Sequence, residues 1–182
     1  MKKLILAVAL VAVTGTIFAQ KKTTTSATVA FDASTAIDAL PKAENKTVVA
    51  VLNTKSGEVA FQAVVKNFAF SNPTIQDHFN GEKWMNSDKF NDFTFKGTIS
   101  KSSSVNFKKD GTYEVEVEGK LTVKDQIKDI KVPATIVVKD GVISTTAQFT
   151  ITLADYGISG APIDAGKVAK QPKITVSADF KK

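Results

Sequence analysis

Residues 113–153 read YEVEVEGKLTVKDQIKDIKVPATIVVKDGVISTTAQFTITL, and the fold turns on how that stretch alternates. Tyr113, Val115, Val117 and Leu121 fall on one side, with Glu114, Glu116, Glu118 and Lys120 on the other. Successive side chains of a strand point to opposite faces, so this pattern predicts a half-buried strand with a wet outer side. Val132, Ala134, Ile136 and Val138 then alternate with Lys131, Pro133, Thr135 and Lys139. Ile143, Thr145, Ala147, Phe149, Ile151 and Leu153 alternate with Ser144, Thr146, Gln148, Thr150 and Thr152. Lys124-Asp125-Gln126 marks a reversal between the first two runs, and Asp140-Gly141 separates the next pair, a strong hairpin signal. Three strands joined by short reversals make an antiparallel meander.

The same period continues outward. Asp110-Gly111 is a second hairpin signal, and Lys55-Ser56-Gly57 links residues 47–54 to 58–67, where Val59, Phe61, Ala63 and Val65 share a face. Ile174, Val176, Ala178 and Phe180 form a last strand; residues 27–32 and 93–99 supply two more. Only Ser34–Leu40, stopped by Pro41, and Thr74–Gly81 leave room for a helical turn. About eight antiparallel strands fit an all-β up-and-down barrel, because closure removes exposed edges. A two-sheet sandwich with a solid core is the alternative.

The chain opens MKKLILAVALVAVTGTIFAQ, with Lys2 and Lys3, an apolar run from Leu4 to Val13, and the small Ala19. This is the layout of a secretory leader, so residues 1–19 are expected to be removed. The run is shorter than the roughly 18 apolar residues that span a bilayer. Residues 20–26 (QKKTTTS) read as a flexible tail ahead of one domain over 27–182. The chain has no cysteine, so core burial must hold the fold without disulfides. An exported, cysteine-free chain with this leader points to a bacterial periplasmic or secreted protein.

Every basic residue is lysine, and loss of Lys2 and Lys3 lowers the formal charge of +6 by two. Nucleic-acid binding leans on arginine forks and basic clusters, which this chain lacks. One histidine, His78, and no cysteine leave no His/Cys metal cluster, and no Gly-rich phosphate loop or G-x-S-x-G follows a strand. His78 next to Asp77 reads first as a loop histidine, and the glutamates of 114–118 as a solvated face. No enzyme, metal or cofactor is expected.

Eight of the fifteen aromatic side chains lie between Phe61 and Phe95: Phe61, Phe68, Phe70, Phe79, Trp84, Phe90, Phe93 and Phe95. Phe93 and Phe95, two apart, point the same way in a strand, where core packing and a cavity wall are both open readings. Trp84, Met85 and Phe90 sit among Asn, Asp and Lys, either capping one end of the barrel or lining an entrance. Methionine suits an irregular ligand as well as a gap.

Several stretches, in order, resemble the YceI-like family of exported lipid-binding proteins. NSDKFNDFTFKG (86–97) is similar to its Ser-x-x-Phe loop and aromatic strand. YEVEVEGKLTVKDQIKDIKVPATI (113–136) is similar to its Gly-x-Leu-Thr strand, turn and lysine-rich return. FTITLADYGI (149–158) is similar to its closing Asp-aromatic-Gly-Ile segment. The match covers roughly 46–160. The family's usual arginine before that last segment has no counterpart, Gln76-Asp77-His78-Phe79 only echoes its histidine stretch, and the opening strands look abbreviated to VAFDAST (29–35).

The resemblance implies a lipocalin-like barrel with an apolar interior holding a long amphipathic, polyisoprenoid-like lipid, for transport, storage or sequestration. On that reading Phe61, Phe93, Phe95, Val115, Val117, Ile136, Phe149 and Ile151 line the interior. Phe68, Phe70, Trp84, Met85 and Phe90 shape the mouth, and His78 or Lys83 meets a polar or phosphate head group. The charged outer strand faces argue against stable membrane insertion, and a homodimer is left open.

Overall fold

The computed structural model describes residues 20–181. Nine strands occur: β1 (Lys21–Asp32), β2 (Lys42–Asn53), β3 (Glu58–Val64), β4 (Ala69–Phe70), β5 (Asp92–Ile99), β6 (Gly111–Val123), β7 (Gln126–Lys139), β8 (Val142–Thr150) and β9 (Lys173–Phe180). Two short helices join them, α1 (Pro73–Asn80) and α2 (Ala161–Asp164). The hydrogen-bonded order is β1-β9-β8-β7-β6-β5-β3-β2, and β1 also pairs with β2, so eight strands close on themselves. The two-residue β4 is an appendage on the start of β2. Every neighbouring pair is antiparallel. Closure excludes the two-sheet sandwich and leaves no free barrel edge.

The alternation read from residues 113–153 reappears as register. Glu114, Glu116, Glu118 and Lys120 of β6 are exposed, while the odd-numbered residues between them are half-buried. On the outer face Lys131 Nζ lies 2.8 Å from Glu118, and Lys120 Nζ lies 2.8 Å from Asp129. Asp140 and Gly141 both adopt positive φ, as the tight β7–β8 hairpin demands.

Three expectations need correction. The tail at 20–26 is the first half of β1: Lys21 to Thr24 pair with Asn53 to Ala50, and Thr54 N donates to the Gln20 carbonyl at 2.8 Å. This segment joins the ladder through main-chain bonds and β-branched threonines rather than apolar side chains, so alternating hydrophobicity could not reveal it. The opening strands are accordingly long, at 12 residues each. Asp110-Gly111 is no two-residue hairpin, because residues 100–110 form a loop with a 3-10 turn at Ser102–Ser104 and Gly111 already pairs with Val138. Ser34–Leu40 is a loop, with the Thr35 hydroxyl accepting from Ile37 N and Asp38 N. The expected leader, residues 1–19, lies outside the described residues.

Strand direction sorts the connections into two ends. The 54–57, 100–110 and 140–141 loops share one end, where Val105 is buried and the Tyr113 hydroxyl lies 3.2 Å from the Asn106 carbonyl. The other end carries the long segments 33–41, 65–91 and 151–172. The site lies beneath these.

Candidate functional site

Inward side chains from all eight barrel strands surround a cavity of about 170 Å3. Since one water needs only roughly 10–15 Å3 of such space, the void is far larger than a packing defect. Its wall is aliphatic and aromatic, broken only by Thr94, Thr145 and Thr146, with no charged side chain among the described residues. The room has a sequence cause: Ala63, Ala134 and Ala147 stand where bulkier residues would fill the barrel. Ala134 and Ala147 are direct cross-strand partners.

Phe61, Phe93, Phe95, Val117, Ile136, Phe149 and Ile151 all line this cavity. Phe61 and Phe95 face each other across β3 and β5, as do Ala63 and Phe93. Val115 packs against the core without reaching the cavity surface. Phe68, expected at the mouth, is buried in the wall of this cavity alone, and Met85, also buried, lines it as well as the outer cavity.

A second cavity of about 140 Å3 lies at the end with the long loops. Its walls come from Phe31 of β1, Asp38 and Pro41 of the following loop, Phe70, α1, Trp84 and residues 153–168. Phe31, Phe79, Met85 and Leu153 belong to both cavities, so they form the partition between an inner chamber and an outer vestibule. Phe79 is the hub of that partition, with ring centroids 4.9 Å from Phe70, 6.1 Å from Phe68 and 6.3 Å from Phe31.

Local chemistry fixes α1, which carries Phe79. Pro73 occupies the first turn, where a missing N–H costs nothing. The Asn72 side chain accepts from Thr74 N at 2.9 Å and Ile75 N at 3.4 Å. After Gly81 the chain folds back, with Met85 N donating to the Phe79 carbonyl at 3.1 Å and Asn86 in the left-handed region. This turn aims Trp84 and Met85 at the cavities while Lys83 stays in solvent.

Lys83 therefore lines neither cavity and is corrected as a head-group candidate; His78 does face the vestibule. Phe90 is also corrected. It lines neither cavity, because its ring lies against the β6–β7 turn, with Lys89 Nζ 5.0 Å and Lys124 Nζ 5.9 Å from its centroid. Phe70 and Trp84 line the vestibule alone. Sequence reading missed Asp38 and Lys167, which come from segments with no periodicity and meet only through the fold. Among the described residues, no group of three or more His, Cys, Asp or Glu side chains could hold a metal ion, and no helix is long and apolar enough to cross a membrane.

A closed, eight-stranded antiparallel barrel around an apolar chamber places the protein in the lipocalin-like class of folds. The chain belongs to the YceI-like domain family, whose model matches residues 10–180. No curated protein matches it. Among solved structures, it is similar to a polyisoprenoid binding domain from Saccharophagus degradans implicated in plant cell wall breakdown. That pair has TM-score 0.74 and 9% identity, over 89% of this chain and 98% of the other. BcnA of Burkholderia cenocepacia aligns with TM-score 0.68 and 18% identity, over 84% and 96%. The Campylobacter jejuni YCEI protein aligns with TM-score 0.54 and 20% identity, over 74% and 81%. At these identities the likeness is one of fold.

Proposed function

We propose that this chain is an exported binding protein, not an enzyme, that holds a long amphipathic lipid with its tail in the inner chamber. The carrying observation is the uncharged chamber contributed to by every barrel strand. A buried methylene yields about 0.8 kcal/mol, so ten give roughly 8 kcal/mol before ordering costs. Such a chamber needs no precise polar contact to hold a chain. The Saccharophagus domain's description as polyisoprenoid-binding supports an isoprenoid-like tail. The leader-like residues 1–19 support export to the periplasm or beyond. The ion pairs on the outer face support a barrel bathed in water rather than inserted in a bilayer. Transport, storage and sequestration are all served by the same chamber.

Native mass spectrometry of protein gently purified from its own host tests the reading. The expected spectrum contains a lipid adduct on the mature polypeptide. Bare polypeptide alone, even after isoprenoids are added, would overturn it.

A further inference from the structure

We infer that the vestibule selects an uncharged, hydrogen-bonding head group, such as an alcohol or amide, over a phosphorylated one. This inference rests on the lipid reading above and adds the chemistry of the other end of the ligand. The vestibule adjoins the chamber across Phe31, Phe79, Met85 and Leu153, so a lipid whose tail fills the chamber and whose chain passes these side chains puts its head there.

Only Asp38, His78 and Lys167 among the lining residues titrate. One lysine against one aspartate gives a local charge near zero when histidine is neutral. A diphosphate would bring several negative charges beside the Asp38 carboxylate with one ammonium to offset them. The chain has no arginine to grip phosphate with a fork.

The main chain does not make up the deficit. The start of α1, the natural anion site nearby, has Pro73 in its first turn, while the Asn72 side chain takes the amides of Thr74 and Ile75. Lys167 N and Val168 N both donate to the Pro162 carbonyl, at 2.9 and 3.1 Å. Trp84 N donates to Gly81 and Leu153 N to Lys170, at 3.0 Å each. Phe70 N donates to the Gln76 side chain at 3.2 Å, and Asp38 N to the Thr35 hydroxyl at 3.2 Å. No cradle of unspent N–H groups faces the vestibule from these positions. The polar lining is the half-buried Asp38, whose Oδ1 accepts from Leu40 N at 2.9 Å, with the exposed His78 and Lys167 as donors beside it, amid the rings of Phe31, Phe70, Phe79 and Trp84. A group that both gives and accepts a hydrogen bond matches this set.

Trp84 is the only tryptophan and sits in the vestibule wall, so its emission reports head-group occupancy. Titrations of the full chain with geranylgeraniol and geranylgeranyl diphosphate share one tail and differ in the head. The alcohol is expected to bind at least about tenfold tighter at pH 7. Asp38→Asn removes the repelling charge and is expected to narrow that ratio by roughly tenfold, the scale of one nearby charge at a protein surface. The change in ratio cancels differences in ligand solubility. Diphosphate binding as tight as the alcohol, or a ratio unmoved by Asp38→Asn, overturns the head-group inference while leaving the lipid chamber standing. Binding of neither ligand overturns the chamber reading and the inference with it.

Discussion

Gly97 stands opposite Gly119 across β5 and β6, and the Phe95 ring lies over both. A Cβ on Gly97 would meet Phe95 Cζ at 2.6 Å, and one on Gly119 would meet it at 2.7 Å. Neither glycine has positive φ, so close approach rather than backbone conformation requires them. The ring lies on bare backbone at a spot where two glycines would otherwise weaken the sheet. Gly119→Ala must also displace the Lys96 carbonyl. It is expected to cost about 1–3 kcal/mol, as overpacking does. The readout is a lower urea midpoint at unchanged slope; an unchanged midpoint would show that the ring and the β5 backbone both give way freely.

Ala147 pairs with Ala134 on one side and Val176 on the other, and all three line the chamber. Ala147→Phe should put its ring into void, so the melting temperature is expected to hold or rise, unlike overpacking of a filled core. Lipid affinity should fall more than tenfold for each two methylenes excluded, at roughly 0.8 kcal/mol apiece. Native mass spectrometry measures the occupancy. Wild-type occupancy in a folded variant would place the lipid elsewhere.

The barrel was legible because most of its strands bury one face and wet the other, as Tyr113 to Leu121 do. Where that contrast vanishes, so does the signal: Lys21 to Thr24 is polar on both faces, and main-chain pairing makes it a strand. The inner wall followed from the same parity, which aims Phe93 and Phe95 inward together. The vestibule did not. Lys167 resembles every other lysine in the sequence, and only the packing of residues 31–41, 70–85 and 153–168 brings it beside Asp38 and His78.

Asn45 is fully buried in β2, at the point where the β1–β2 register slips by one residue. Its Nδ2 donates to the Val64 carbonyl at 2.9 Å, and its Oδ1 accepts from Thr47 N and Oγ1 at 2.9 and 2.8 Å. One side chain thus pins the bulge and ties it to the end of β3. Asn45→Leu should strand these groups at about 1–3 kcal/mol for a buried polar group left unpaired. Chemical denaturation measures the loss; wild-type stability would mean the bulge holds itself.

Asp32 ends β1 and spans the loop to β2. Burial raises its pKa, but bonds from the Ser34 hydroxyl and amide, and Lys42 Nζ at 3.4 Å, outweigh this and hold it below the ordinary value. A carboxyl depressed on folding adds stability above its unfolded pKa and loses it as pH falls through the folded one. The melting-temperature gap between wild type and Asp32→Asn should therefore be full at neutral pH and close across the acid window that begins near the ordinary carboxyl value of 3.8 and runs below it. A gap constant across that window would remove the carboxylate from the account.

Phe79 belongs to both cavities and packs on Phe31, Phe68 and Phe70. Phe79→Ala is expected to cost up to about 3–5 kcal/mol and to merge chamber and vestibule. Lost stability alone speeds ligand exchange whenever release needs global unfolding, so a matched control is required. Phe107, half-buried in the 100–110 loop at the opposite end, packs on the core but lines neither cavity. If lipid leaves past α1, stopped-flow transfer to acceptor vesicles should quicken for Phe79→Ala and not for Phe107→Ala, compared at equal stability by adjusting temperature. Equal acceleration in both would make unfolding the route, because only a local gate distinguishes two losses of the same size by their place in the barrel.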